Sequence, residues 1–261
     1  MNNSPVGLFI FSLFFYSHFN GVFHSTEHIP LGVVERLKLL SRTDKCVLKY
    51  LKGIDPEKGL KILPFLIERC ALSQYFTLET HGNHSITTLF PLFQHPHLKK
   101  CHSFLFFGTF SYEMTGELAV LNSVDFEMLN CRYLIIDKRP NSQKLRHFIQ
   151  VPELTEIQLN DIMMQYKDDK EYVIEHLFIA ENREIQKIAE KIWNFRRIYG
   201  VVPCQITIRF PTVISTDKIW DFAQKVLEND QYILLKMRKT EKFTEFYIFA
   251  SGEYQCSMRY S

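Results

Sequence analysis

The stretch CRYLIIDKRPNSQKLRHFIQVPELTEIQLNDI, from Cys131 to Ile162, decides the fold that the sequence predicts. Its pattern predicts an apolar strand, a polar turn, an amphipathic helix, a proline and a second strand that begins at Leu154. A weaker copy, YFTLETHGNHSITTLFPLFQHPHLKKCHSF, lies 56 residues upstream, from Tyr75 to Phe104. The two copies indicate that the chain repeats a strand-plus-helix unit.

The spacing of strand-like runs predicts the overall architecture. Such runs begin near positions 47, 72, 98, 131, 154, 173, 204 and 232. One strand-plus-helix unit cannot bury its apolar face alone, so neighbouring units stack. We therefore expect an α/β fold, a leucine-rich-repeat-like array whose units form a curved, mostly parallel sheet. The asparagine ladder of that repeat is missing, which leaves an α/β sandwich with a mixed sheet as the competing architecture.

Helices are predicted between several of these strands. Asp55-Pro56 opens one, with proline preset for the first turn, and Pro64 should kink it or end it early. Residues Glu181 to Phe195 have the clearest apolar stripe. A third helix begins after Ser215 or Thr216 and runs to Leu227.

Composition excludes some classes of function and leaves the compartment open. Of the 261 residues, 46% are hydrophobic and 23% charged, which is typical of a globular protein. A net charge of +2 gives no argument for a nucleic-acid partner. The six cysteines form no CxxC pair, so we expect reduced thiols and a cytoplasmic or nuclear protein. The alternative is secretion, in which case the Asn83-His84-Ser85 sequon becomes relevant.

The first 27 residues form a separate apolar N-terminal segment. Its core, Gly7 to Phe23, is either a secretory signal or an extra packed segment. It has no positively charged flank, and it is too short and too interrupted to cross a membrane. We therefore predict no membrane span.

No catalytic, cofactor-binding or metal-binding residue is predicted. The one histidine cluster lacks paired thiolates, so we expect loop histidines without a metal; its members are His81, His84, His95, His97, His102 and the neighbouring Cys101. Carboxylate pairs at Glu113/Glu117 and Asp168/Asp169 are predicted to be exposed charges. Since no nucleophile or phosphate-loop motif occurs, an enzyme is less expected than a binding protein, although a cysteine-histidine pair stays open.

Three phrases of the sequence resemble a known family. EKGLKILPFLIERCALSQYFTLE (Glu57 to Glu79) resembles a unit of nematode F-box-associated domains of the FTH type. The unit from Leu134 to Leu159 and the phrase from Cys204 to Asp230 look similar to other units of that family.

The resemblance implies a division of the chain and a function. Residues 28–54 are faintly similar to the opening of an F-box, which would bind a Skp1-like scaffold, and residues 55–261 would be the interaction domain. The implied function is a non-enzymatic substrate-recognition subunit of an F-box-type ubiquitin ligase, with protein partners only. The alternatives are a secreted α/β protein of unknown activity and an enzyme with no visible motif.

Overall fold

The structure is a computed structural model of the chain. It describes residues 42–70, 79–81, 86–88, 103–108, 132–138, 140–141, 148–151, 155–168, 173–180, 184–253 and 255–257. The predicted N-terminal segment 1–27 and the F-box-like residues before position 42 lie outside this part of the chain.

The described chain contains both helices and strands. The helices are α1 (residues 42–51), α2 (Pro56–Cys70), α3 (Glu156–Asp168), α4 (Ile185–Lys191), α5 (Phe195–Tyr199) and α6 (Thr216–Leu227), with a 3-10 turn at Ile192–Asn194. The strands are β1 (Glu79–His81), β2 (Ile86–Thr88), β3 (Ser103–Gly108), β4 (Arg132–Asp137), β5 (Phe148–Gln150), β6 (Val173–Ala180), β7 (Val202–Pro211), β8 (Ile233–Lys239) and β9 (Phe243–Phe249).

Seven of these strands form one sheet in the order β5-β4-β3-β6-β7-β9-β8. Neighbours from β5 to β7 are parallel, whereas β9 is antiparallel to both β7 and β8. The prediction of an α/β fold with a mostly parallel sheet is confirmed. The strands do not lie in sequential order, as stacked repeats would, because β6 lies beside β3. In this respect the sheet agrees with the competing architecture, an α/β sandwich with a mixed sheet.

Each strand of the central sheet alternates between two faces. The first face presents apolar residues such as Leu105, Leu177 and Ile206, which join the helices in one core. The second face presents phenylalanines and also polar side chains, and Gln205 and Arg209 are two of these polar residues. Strands β6 and β7 are buried along nearly their whole length, so both faces of the sheet lie in the interior there.

Helix α2 begins as predicted and then continues past its internal proline. Its first turn is fixed by Asp55, whose Oδ1 accepts a hydrogen bond from the Lys58 backbone N–H at 3.0 Å. Of the two effects predicted for Pro64, a kink or an early end, the early end is wrong, since the helix runs to Cys70. An internal proline costs about 3 kcal/mol. Four leucine and isoleucine side chains of α2 are buried, at about 1.5–3 kcal/mol each, so their burial outweighs that cost.

The segment after β5 departs from the predicted repeat. Residues 156–168 form helix α3 where the second strand of the repeat was expected to continue from Leu154. Thr155 and Gln158 form a reciprocal capping box: the Thr155 backbone N–H donates to Gln158 Oε1 at 3.0 Å, and the Gln158 backbone N–H donates to Thr155 Oγ1 at 3.3 Å. The two side chains accept hydrogen bonds from backbone N–H groups that have no partner within the first turn of a helix. The cap therefore starts a helix at this point.

The upstream copy of the repeat also differs from the prediction. Strands β1 and β2 pair as an antiparallel hairpin, with His81 opposite Ile86. Residues 86–88 are therefore extended, where the repeated unit predicted a helix after its first strand. The strand-like run that begins near position 72 lies outside the described residues as far as residue 78.

Later elements agree with the sequence. The predicted strands at Tyr172 to Ile179 and Cys204 to Phe210 correspond to β6 and β7. The helix to Leu227 is α6, and the final two strands pair as β8 and β9. The helix predicted from Glu181 to Phe195 is helical from Ile185 onward, and the 3-10 turn at Ile192–Asn194 divides it into α4 and α5.

The prediction of reduced cysteines is wrong for the four that the structure describes. Cys46 is bonded to Cys70, and Cys204 is bonded to Cys256. Neither pair is close in sequence, because 24 and 52 residues separate the partners. Their pairing depends on the fold, which spacing alone does not reveal.

Candidate functional site

The strand order reverses between β3 and β6. The chain fills the sheet outward from β3 through β4 to β5, and α3 then brings it back to β6 on the other side of β3. Such a reversal is the topological switch point of a doubly wound sheet. Ligands of these folds bind in the crevice outside the carboxyl ends of the strands at that point.

Small residues occupy the carboxyl ends of the two strands at this switch point. Gly108 ends β3 and pairs with Ala180, which ends β6. A Cβ atom on Gly108 would lie 2.2 Å from the Ala180 carbonyl oxygen, so only glycine allows this approach of the two backbones. No side chain larger than a methyl group stands on either residue.

Charged residues stand on both sides of this small pair. Ala180 pairs with Arg209 of β7, and Arg209 pairs with Glu245 of β9. On the other side, Asp137 ends β4, the strand next to β3. We call Asp137, Gly108, Ala180, Arg209 and Glu245 the carboxyl-edge row. Its acidic and basic members are 2–5% exposed, so their charges are held in the interior.

The basic member of the row is held by an ion pair and by two aromatic rings. Arg209 donates from Nε and from a terminal nitrogen to Glu245 Oε2, at 2.8 and 2.5 Å. Its guanidinium carbon lies 4.1 Å from the ring centre of Phe243 and 5.2 Å from that of Phe178. Charge pairing and cation–π contact compensate for the desolvation of this buried arginine.

A second polar row lies one step further into the sheet on the same face. Tyr247 donates its hydroxyl hydrogen to Gln205 Oε1 at 2.5 Å, and His176 Nε2 lies 2.8 Å from Thr207 Oγ1. Burial lowers the pKa of His176 to about 3, because the charged imidazolium is poorly solvated there. His176 is therefore neutral at physiological pH, and this row supplies hydrogen-bonding groups without charge.

A groove of about 300 Å³ lies elsewhere, on the helical side of the sheet. It lies between α4 and α6, and its aromatic residues include Trp193 and Phe222, whose rings stack with centres 5.8 Å apart. Charged side chains stand on its rim, among them Lys218 and Lys225. Lys218 Nζ also donates to Gln186 Oε1 at 3.1 Å, which joins the two helices at the rim. The groove is small and its rim carries both signs of charge.

Most of the candidate site residues named from the sequence lie outside the described residues. Of the histidine cluster only His81 is described, in β1, and of the carboxylate pairs only Asp168 is, at the end of α3. His84, His95, His97, Cys101, His102, Glu113, Glu117 and Asp169 lie outside the described residues. Within the described ranges no three His, Cys, Asp or Glu side chains are grouped to hold a metal ion. Trp220 is buried in the core, and Trp193 is partly buried beside the groove.

The carboxyl-edge row was missed by sequence reasoning, although part of its signal was visible. CQITIRF alternates polar Gln205, Thr207 and Arg209 with apolar neighbours, so one face of the strand had to be polar. The complete burial of that face was not visible, because β7 lies between two other strands only in the folded chain.

Among the helices that the structure describes, none combines the length and apolar character needed to cross a bilayer.

No family model, no curated protein and no solved structure matches the chain.

Proposed function

We propose that this chain is a nucleoside-cofactor-binding α/β domain whose ligand site lies at the carboxyl ends of β3, β4 and β6. The observation that carries the proposal is the reversal of strand order between β3 and β6, with Gly108 and Ala180 at the reversal. In doubly wound sheets this crevice holds nucleotides, and small residues there let the backbone approach the ligand.

The position of Asp137 supports a nucleoside rather than another ligand. In nucleotide-binding sheets of this type an acidic residue beyond the first strand accepts hydrogen bonds from ribose hydroxyls. Asp137 ends β4, the strand that follows β3 in the chain and lies beside it in the sheet. Its carboxylate has the chemistry for that role.

The antiparallel strand narrows the choice of cofactor. In this sheet the strand order reverses between β3 and β6, and the antiparallel β9 lies between β7 and β8. S-adenosylmethionine-dependent methyltransferases have the same strand order. This is an analogy of fold, and the same fold can serve several functions. S-adenosylmethionine, which supplies a methyl group in transfer reactions, is therefore the first nucleoside to test.

A binding experiment on the purified full-length chain tests the proposal. We expect S-adenosylmethionine or S-adenosylhomocysteine to raise the melting temperature and to bind in calorimetry. Asp137→Asn should weaken that binding about tenfold or more, since a hydrogen bond to a charged group contributes about 1.5–3 kcal/mol. Asp161→Asn, an exposed substitution on α3, is the matched control and should bind normally. If neither these compounds nor adenosine or NAD at millimolar concentration shifts the melting temperature, the proposal is wrong.

The second candidate function is protein recognition, as in a substrate-recognition subunit of an F-box-type ubiquitin ligase. The groove between α4 and α6 favours it, because aromatic side chains beside mixed charges are typical of sites that bind peptide segments. Affinity purification with the wild type and with Lys225→Glu tests this candidate, with Lys45→Glu as a control at an exposed site remote in sequence. A Skp1-like scaffold, or a partner lost only with Lys225→Glu, would support it; unchanged partners in all three samples would count against it.

A further inference from the structure

Two disulfides cross-link the described chain near its two ends. Cys46–Cys70 joins α1 to the end of α2, with Cα atoms 5.7 Å apart. Cys204–Cys256 joins β7 to the helical residues 255–257, with Cα atoms 5.1 Å apart. Both separations are in the usual range for disulfides, so the fold brings each pair together without moving the backbone.

The second disulfide belongs to a closely packed part of the protein. Cys204 and Cys256 are both 0% exposed, and β7 is a strand inside the sheet. Hydrogen bonds hold the chain on either side of the bond: the Ala250 N–H donates to the Cys204 carbonyl at 2.9 Å, and the Ser257 hydroxyl donates to the Ser251 carbonyl at 2.7 Å. The C-terminal residues are therefore packed against β7 through this cross-link.

The two bonds differ in access to solvent. Cys46 is partly exposed, whereas the Cys204–Cys256 bond is enclosed by the core. A reductant in solution reaches the enclosed bond only when the surrounding structure opens. The Cys46–Cys70 bond is therefore the more accessible of the two to an added reductant.

We propose that the chain folds in an oxidising compartment, as a protein of the secretory route, and that both cysteine pairs are permanent structural disulfides. Disulfides persist in such compartments, whereas the cytosol and nucleus keep thiols reduced. In each pair, two thiols lose two protons and two electrons to an oxidised disulfide-exchange protein, which is reduced to its dithiol. The proposal replaces the cytoplasmic or nuclear expectation, and it does not depend on the proposed nucleoside site.

Two sequence features agree with this route. The apolar segment Gly7 to Phe23 has the composition of a secretory signal core, and Asn83-His84-Ser85 is an acceptor sequence for N-linked glycans. Both lie outside the described residues, so they serve as reporters of the compartment and the proposal rests on the cysteine pairs.

Trapping the thiols in living cells tests the proposal. The full-length chain is expressed in animal cells, thiols are blocked with an alkylating agent before lysis, and cysteine peptides are identified by mass spectrometry without reduction. We expect cross-linked peptides for Cys46–Cys70 and Cys204–Cys256, and alkylation of these four residues only after treatment with dithiothreitol. Alkylated Cys204 and Cys256 in the unreduced sample would overturn the proposal.

Location is measured in the same cells. We expect the chain in the medium, or in membrane vesicles where added protease degrades it only after detergent is supplied. Degradation without detergent would overturn the assignment of the compartment even if the disulfides form.

The double variant Cys204→Ser/Cys256→Ser should be retained and degraded in the cell, whereas Cys46→Ser/Cys70→Ser should keep the cross-link between Cys204 and Cys256. Loss of that cross-link in the second variant would contradict independent, permanent disulfides.

Discussion

Gly59 of α2 lies so close to Trp220 of α6 that a Cβ atom on Gly59 would stand 2.3 Å from the indole ring. Trp220 is 4% exposed, and α2 also packs on β8, so neither helix can retreat without losing buried apolar contact. Absence of a side chain at Gly59 is therefore what allows the two helices to pack at this distance.

Substitution of this glycine should destabilise the protein. Gly59→Ala gains about 0.5–1 kcal/mol of helix propensity but overpacks the contact, which costs about 1–3 kcal/mol, so we expect a net loss of stability. Urea unfolding of the variant measures it. Glu68→Ala, at an exposed position of the same helix, should stay within about 0.5 kcal/mol of the wild type. A stability for Gly59→Ala equal to or above the wild type would contradict the close contact.

Asp44 makes stability depend on pH. Its side chain is 5% exposed, and Oδ1 has no hydrogen-bond partner in the described part of the chain. Burial raises the pKa of Asp44 from 3.8 to about 8, although a backbone hydrogen bond from Leu234 partly opposes the rise. Between these two values the folded state keeps the proton that the unfolded state has lost. The stability that depends on protonated Asp44 is therefore fully present below pH 3.8, and it is lost as the pH rises towards 8.

The variant Asp44→Asn should remove this dependence. It keeps an acceptor oxygen for the Leu234 N–H but cannot ionise, so its stability relative to the wild type should increase with pH by up to about 1.4 kcal/mol per unit. Urea unfolding at pH 5, 6, 7 and 8 measures the difference, and Asp161→Asn on the surface should run parallel to the wild type. Parallel curves for Asp44→Asn as well would show that the carboxyl is ionised in the folded state.

Local patterns predicted the elements of this fold better than their arrangement. Alternation in CQITIRF and the apolar stripe from Ile185 to Trp193 depend on neighbouring residues, so they were visible in the sequence. Pairing of β3 with β6 places Leu105 opposite Leu177, although the two residues lie far apart in the sequence. No local pattern encodes this pairing. The same holds for the disulfides and for the carboxyl-edge row, which exist only once distant strands are neighbours.

The beginning of α3 was visible in the sequence but was interpreted as a strand. Thr155 and Gln158 have the spacing of a capping box, yet the leucine repeat suggested a strand over the same residues. Thr155→Ala should lower stability by about 1 kcal/mol, because it leaves the Gln158 N–H without its side-chain acceptor. Thr155→Ser keeps the oxygen and should remain close to the wild type. Equal losses for both variants in urea unfolding would show that the methyl group, and not the cap, stabilises the helix start.

The ion pair between Arg209 and Glu245 should be more costly to break than to remove. Arg209→Met leaves the Glu245 carboxylate buried at 5% exposure without the donor of its two hydrogen bonds, and we expect a loss of about 3–5 kcal/mol. Adding Glu245→Gln removes the stranded charge, so the double variant should recover part of that loss even though more of the native pair is gone.

Lys187→Met, which breaks the exposed pair with Glu184, is the matched control and should cost at most about 1 kcal/mol. Urea unfolding of the wild type, Arg209→Met, Glu245→Gln and the double variant completes the cycle for the buried pair. Additive losses for the two single changes would mean that the two charges are stabilised independently, and that the rings of Phe178 and Phe243, not Glu245, hold the arginine in the carboxyl-edge row.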